Sequence, residues 1–164
     1  MKNLTMALGA AAVLALTTLT APAGAVATDR GTGGPARAEL VGSLPSDPTV
    51  HGAAPGGLPW TAHRSSSVKL FADGRLSVKV KGLVFTDGPF VGTAGPVTSV
   101  SASVYCGADD TAAVASTGTV PLSATGDARI NTVVAMPEPC DNPVVLVHPF
   151  NATAFYIASS VSNW

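Results

Sequence analysis

Charge is scarce in this chain: nine Lys and Arg stand against ten Asp and Glu in 164 residues, a formal net charge of −1. There is no basic excess of the kind that marks a nucleic-acid or anionic-membrane binder. Aromatic residues are few, with two Trp, two Tyr and five Phe. The three histidines, His51, His63 and His148, show no metal-ligand spacing. The sequence has no Gly-x-Ser-x-Gly turn to present a serine nucleophile and no D-x-D-x-D-G calcium loop. These gaps leave no signature of catalysis, metal binding or cofactor binding, so neither a cofactor nor a metal is expected.

Long apolar runs are also missing, with one exception. Leu4 to Leu19 is apolar apart from Thr, follows the basic Met1-Lys2, and precedes the small-x-small sites Ala23-Gly24-Ala25 and Ala25-Val26-Ala27. This is the pattern of a secretory signal peptide over 1–27, cleaved after Ala25 or Ala27. The stretch is short for a membrane span, which takes about 20 residues. Neither cleavage site puts Cys next, and the residues before Trp164 hold no sorting motif or hydrophobic tail. A freely secreted, extracellular protein is expected, without membrane association after signal removal. Loss of Lys2 leaves eight basic residues against ten acids, a net charge of −2.

An oxidising compartment changes the reading of the two cysteines, Cys106 and Cys140. They are not in a C-x-x-C, and an even count there reads as one disulfide rather than a redox pair. Closing a loop of that length is worth roughly 3.5–4 kcal/mol in the chain-entropy picture.

What the chain has in quantity is Gly, Pro and alternation. Residues 28–57 carry runs such as Gly31-Thr32-Gly33-Gly34-Pro35 and Ala53-Ala54-Pro55-Gly56-Gly57. These oppose helices and central strands, so a flexible leader is expected over 28–57. From Trp60 onward apolar and polar residues alternate with period two. Val68 and Leu70 face Leu76 and Val78 across Ala72-Asp73-Gly74. A two-residue turn there would place Lys69 among the valines. A three-residue loop pairs Leu70 with Leu76 and Val68 with Val78, with Gly74 left-handed, and is preferred. Further strands are expected over Val100–Cys106, near 112–116 and 119–122, and from Ala128 to Met136. The unbroken Val144–Val147 run suits a central strand buried on both faces, and 154–159 closes the series. Val84–Pro96 reads as a long connection. About seven or eight short strands without a helix point to an all-β fold: a single antiparallel immunoglobulin-like β-sandwich over 58–164.

Several of these blocks carry a resemblance. They are Asp73-Gly74-Arg75-Leu76-Ser77-Val78-Lys79-Val80, Ser103-Val104-Tyr105-Cys106, Pro121 through Ile130, Cys140 through Val147, and Tyr156-Ile157-Ala158. In them the chain resembles a group of small secreted actinobacterial-type proteins of unknown function. The resemblance implies a secreted β domain with one disulfide and no activity.

Candidate chemistry is thin. The acids of the folded part, Asp73, Asp87, Asp109, Asp110, Asp127, Glu138 and Asp141, lie in loops or beside Gly or Pro, where turn stabilisation accounts for them. An acidic turn at Asp109-Asp110 is favoured over a calcium site. His148 ends a strand and is expected to bond backbone or face water. Ser99, Ser101 and Ser103 form a hydroxyl ladder expected on a solvated face. Lys69, Lys79 and Lys81 are expected to cluster on the outer face of the first hairpin, where lysines discourage aggregation. Asn151-Ala152-Thr153 matches a glycosylation sequon and is expected to be unmodified. Trp60, Tyr105, Tyr156 and Trp164 are the aromatics that could form a sugar-stacking platform. The expected function is a non-enzymatic extracellular binding or structural module. Its partner would be a cell-envelope glycan or another extracellular protein. A carbohydrate-binding sandwich and a small hydrolase built on His148 or the loop acids are the alternatives.

Overall fold

A computed structural model describes residues 36–107 and 112–160. The signal segment, Asp109, Asp110 and Trp164 lie outside the described residues. Among those described there is no helix, and none of the sheets closes on itself.

The first sheet joins β1 (Ala36–Glu39), β5 (Ser67–Leu70), β6 (Arg75–Val80) and β11 (Ala128–Val133) in the order β1-β5-β6-β11. The second joins β10 (Val120–Pro121), β8 (Ser99–Tyr105), β12 (Val144–Pro149), β14 (Ala158–Ser159) and β2 (Val41–Gly42) in that order. A short β9 (Ala115–Ser116) also pairs with β8. Two small pairs complete the set: β4 (Trp60–Thr61) with β7 (Val84–Phe85), and β3 (Ala54–Pro55) with β13 (Phe155–Tyr156). Both larger sheets are antiparallel; β3 and β13 run parallel.

Alternation builds the core. Val68, Leu70, Leu76, Val78 and Ile130 of the first sheet and Val100, Ala102, Val104, Val145 and Val147 of the second belong to one buried cluster. The β5–β6 register is Val68 with Val78 and Leu70 with Leu76, as the three-residue loop requires. The Phe71 N–H donates to the Arg75 carbonyl, the Gly74 N–H donates to the Phe71 carbonyl, and Gly74 has φ of +80°.

The disulfide joins Cys106 to Cys140 with their Cα atoms 5.0 Å apart. Cys106 directly follows β8 and Cys140 precedes β12, the neighbour of β8, so the bridge fastens adjacent strand ends within one sheet. The Gly107 N–H adds a bond to the Asp141 carbonyl beside it.

Three expectations are corrected. Residues 28–57 are not a leader throughout: from Ala36 the chain contributes β1, β2 and β3, and Leu40, Val50 and Ala53 are buried. Gly and Pro exclude long strands, but they do not exclude two-residue strands and a strap laid across a sheet. Residues 43–56 form that strap, turning at His51 and Gly52, both with positive φ as a two-residue hairpin requires. Second, the Val84–Pro96 connection contains β7. Third, the strands are shorter and more numerous than expected, because turns and bends interrupt the chain every few residues.

Candidate functional site

The strap explains where the candidate side chains go. On β8, Val100, Ala102 and Val104 face the core between the sheets, and Ser101, Ser103 and Tyr105 face the other way. That second face is covered too. Val50 and Ala53 of the strap pack with Tyr105, Leu146 and Tyr156 into a second buried cluster. The strap is sewn down by Ser43 N–H to the Ile157 carbonyl, Gly56 N–H to the Tyr156 carbonyl, and the Tyr156 hydroxyl to the Pro48 carbonyl. His51 stacks on Tyr105 with ring centroids 4.5 Å apart.

The solvated serine face is therefore a correction: Ser101 and Ser103 are each 1% exposed. So is the aromatic platform. Trp60, Tyr105 and Tyr156 are 3%, 3% and 0% exposed, and no flat strip of them meets water. Burial raises both tyrosine hydroxyl pKa values, that of Tyr156 to about 12 with Asp47 contributing.

His148 is fully buried and opposite Ser101 in the β8–β12 register. Its Nδ1–H donates to the Phe155 carbonyl at 2.6 Å, which matches the expected backbone bond. That bond fixes Nε2 as the bare acceptor. Neither Nε2 nor the Ser101 hydroxyl has a hydrogen-bond partner among the described residues. The pair has the components of a base and a nucleophile, but both are fully buried, where no substrate reaches them. Burial lowers the His148 pKa, with the Phe155 carbonyl opposing.

The acids serve the chain itself. Asp73 accepts from the Arg75 backbone N–H and from its Nε at 2.7 Å. Asp127 accepts from Lys81 Nζ at 2.6 Å and from the Gly82 N–H. These donors hold both carboxyls below their ordinary pKa. No group of three or more His, Cys, Asp and Glu is gathered to hold a metal among the described residues.

An apolar cleft of about 350 Å³ opens where β4 and β7 meet the β12–β14 turn. Leu58, Trp60, Phe85, Val97, Phe155 and Ile157 line its walls, with Gly56 and Gly57 at one side. Trp60 and Phe85 are cross-strand partners with centroids 3.8 Å apart. Phe155 is 50% exposed, and Phe90, beside Phe85, is 39% exposed.

No family model, curated protein or solved structure matches the chain.

Of the expected site residues that are described, Trp60 alone lines this cleft. Tyr105 and Tyr156 belong to the layer beneath the strap. Phe85, Phe90 and Phe155 were missed because each lies in a short strand or loop, where period-two reading gives no face. The Gly56-Gly57 pair was the available signal: two residues without side chains, next to a Trp, open space beside an aromatic.

Proposed function

We propose that this protein is an exported, non-enzymatic binding module on an immunoglobulin-like sandwich, and that its apolar cleft takes a small apolar ligand. The observation that carries the reading is the cleft's composition. It is walled by Trp60, Phe85 and Phe155, and it has a volume within the roughly 300–1,000 Å³ range of small-molecule sites. Its lining contains no acid, base or nucleophile, which favours binding over catalysis. Phe155, half exposed on the cleft's wall, is apolar surface that a ligand would cover. Export is supported by the signal pattern of 1–27 and by the disulfide, which belongs to an oxidising compartment. The two facing sheets support the sandwich, and the resemblance to small secreted actinobacterial-type proteins agrees with both.

The test is titration of the purified protein with the neutral fluorophore N-phenyl-1-naphthylamine. Gly57 lines the cleft and a Cβ there meets nothing within 4 Å, so Gly57→Phe adds a ring to the cleft without a clash at the backbone. Saturable one-to-one binding with energy transfer from Trp60 is expected, and Gly57→Phe should weaken it at least tenfold while leaving the melting temperature unchanged. Equal binding by the Gly57→Phe variant would overturn the assignment, as would an unsaturable response. Saturable binding of a protein partner at the same residues would make the cleft a docking pocket instead.

A further inference from the structure

The basic residues, few as they are, are not spread evenly. Side chains in register on an antiparallel sheet share a face. The inward set of the first sheet is Ala36, Ala38, Val68, Leu70, Leu76, Val78, Val80 and Ile130 with their partners. The outward set therefore contains Arg37, Lys69, Lys79 and Arg129, one on each of the four strands, with Arg75 at the start of β6 and Lys81, on Asp127, one residue past its end. That is six of the chain's nine Lys and Arg on one face of a protein whose net charge is −1.

The pairing is more informative than the count. Arg37 stands directly opposite Lys69, and Lys79 directly opposite Arg129. Like charges directly opposite each other destabilise a sheet. The acids do not relieve them fully. Asp73 is bound to Arg75 and Asp127 to Lys81, with Lys79 adding to the field at Asp127; Glu39, opposite Ser67, is the remaining outward acid. A protective role against edge pairing does not account for the arrangement, because β5 and β6 are the inner strands of their sheet. Between the cations lie Ser67, Ser77 and Asn131, the last two hydrogen-bonded at 2.8 Å.

We propose that this outer face binds a linear anionic polysaccharide. Three strand spacings of about 4.8 Å carry the cations across roughly 14 Å. That is room for several sugar residues bearing carboxylate or phosphate. The serines and Asn131 supply the hydroxyl-pairing groups that a sugar chain uses between its charges. A membrane surface would call for an exposed apolar set, and on this face Val133 alone stands out. Single-stranded nucleic acid would call for stacking rings. The one aromatic here, Phe71, already lies under the Arg75 guanidinium, 4.3 Å from it. This face is separate from the apolar cleft, and the two readings stand or fall independently.

The experiment is binding of the purified protein at low salt to polygalacturonate, phosphomannan, neutral dextran and a DNA duplex. The proteins compared are wild type, Lys69→Gln/Lys79→Gln and Gly57→Phe. Binding to either acidic glycan is expected, with none to dextran and at least tenfold weakening by 500 mM salt, because exposed charges are screened. The double variant should bind at least tenfold more weakly, and Gly57→Phe should bind as wild type. The difference between polygalacturonate and phosphomannan assigns the preferred anion. Since the double variant removes like-charge pairs, it should melt no lower than wild type, which separates lost binding from lost folding. The proposal is overturned by an affinity that the double variant leaves intact, by equal retention on dextran, or by tighter binding to the DNA duplex than to either acidic glycan.

Discussion

Gly74 shows how much one residue can specify. Its φ of +80° closes the three-residue loop, and its carbonyl accepts from the Val134 N–H. A Cβ there would collide with the Val134 carbonyl oxygen. Gly74→Ala therefore combines a left-handed penalty of about 1–2 kcal/mol with displacement of the chain after β11. A loss of about 2–4 kcal/mol is expected, measurable as a lower urea midpoint, and a loss below 1 kcal/mol would show that the loop relaxes freely. The left-handed role of Gly74 was legible in the sequence because only one loop length keeps Lys69 out of the core. The contact with Val134 was not, since nothing local to Asp73-Gly74 announces a partner sixty residues on.

Among the elements, β12 was legible on both faces and β8 on only one. Val144–Val147 is apolar at every position, so double burial is its plain reading. In β8 the second face is Ser, Ser, Ser and Tyr, which by period-two logic belongs to water. The strap overrides that logic: Val50 and Ala53 pack with Tyr105 on that face, and Tyr105 receives His51. Burial on the same face gives His148 a pH signature. Its folded pKa is below the ordinary 6.5 because burial disfavours the cation. The unfolded chain takes up a proton as pH falls through about 6.5, whereas the folded chain does so only at lower pH. Stability that is complete above that range should therefore fall between pH 6.5 and the folded pKa, by at most about 1.4 kcal/mol per pH unit. The stability gained through Asp73 and Asp127 is lost in a different window, on acidification below their ordinary value of 3.8. Urea midpoints of wild type and His148→Gln at pH 7 and pH 5 separate the two. A smaller drop in the variant assigns the upper window to His148, and an equal drop removes it from that role.

At the scale of the whole molecule, composition was informative about class and silent about place. All-β character, the absence of helix among the described residues and the Cys106–Cys140 bond followed from alternation, Gly and Pro content and cysteine parity. A net charge near zero argued against a nucleic-acid or anionic-membrane partner, yet the register gathers Arg37, Lys69, Lys79 and Arg129 on one sheet face. Summed charge cannot reveal such segregation; pairing can. The aromatic cleft was hidden for a similar reason, since Trp60, Phe85 and Phe155 come from three distant stretches. The fold that gathers them rests partly on its covalent tie. Cys106 and Cys140 enclose β9, β10 and β11 within a 34-residue separation and fasten the β8–β12 pair at one end. Cys106→Ala/Cys140→Ala should lose about 3–4 kcal/mol by releasing closure entropy into the unfolded chain. A constraint acting mainly on the unfolded state leaves the native contacts as they were. The double variant should therefore keep the wild-type circular dichroism spectrum and its affinity for N-phenyl-1-naphthylamine, while its urea midpoint falls. A parallel loss of the cleft's affinity would show instead that the bridge shapes the native sheet.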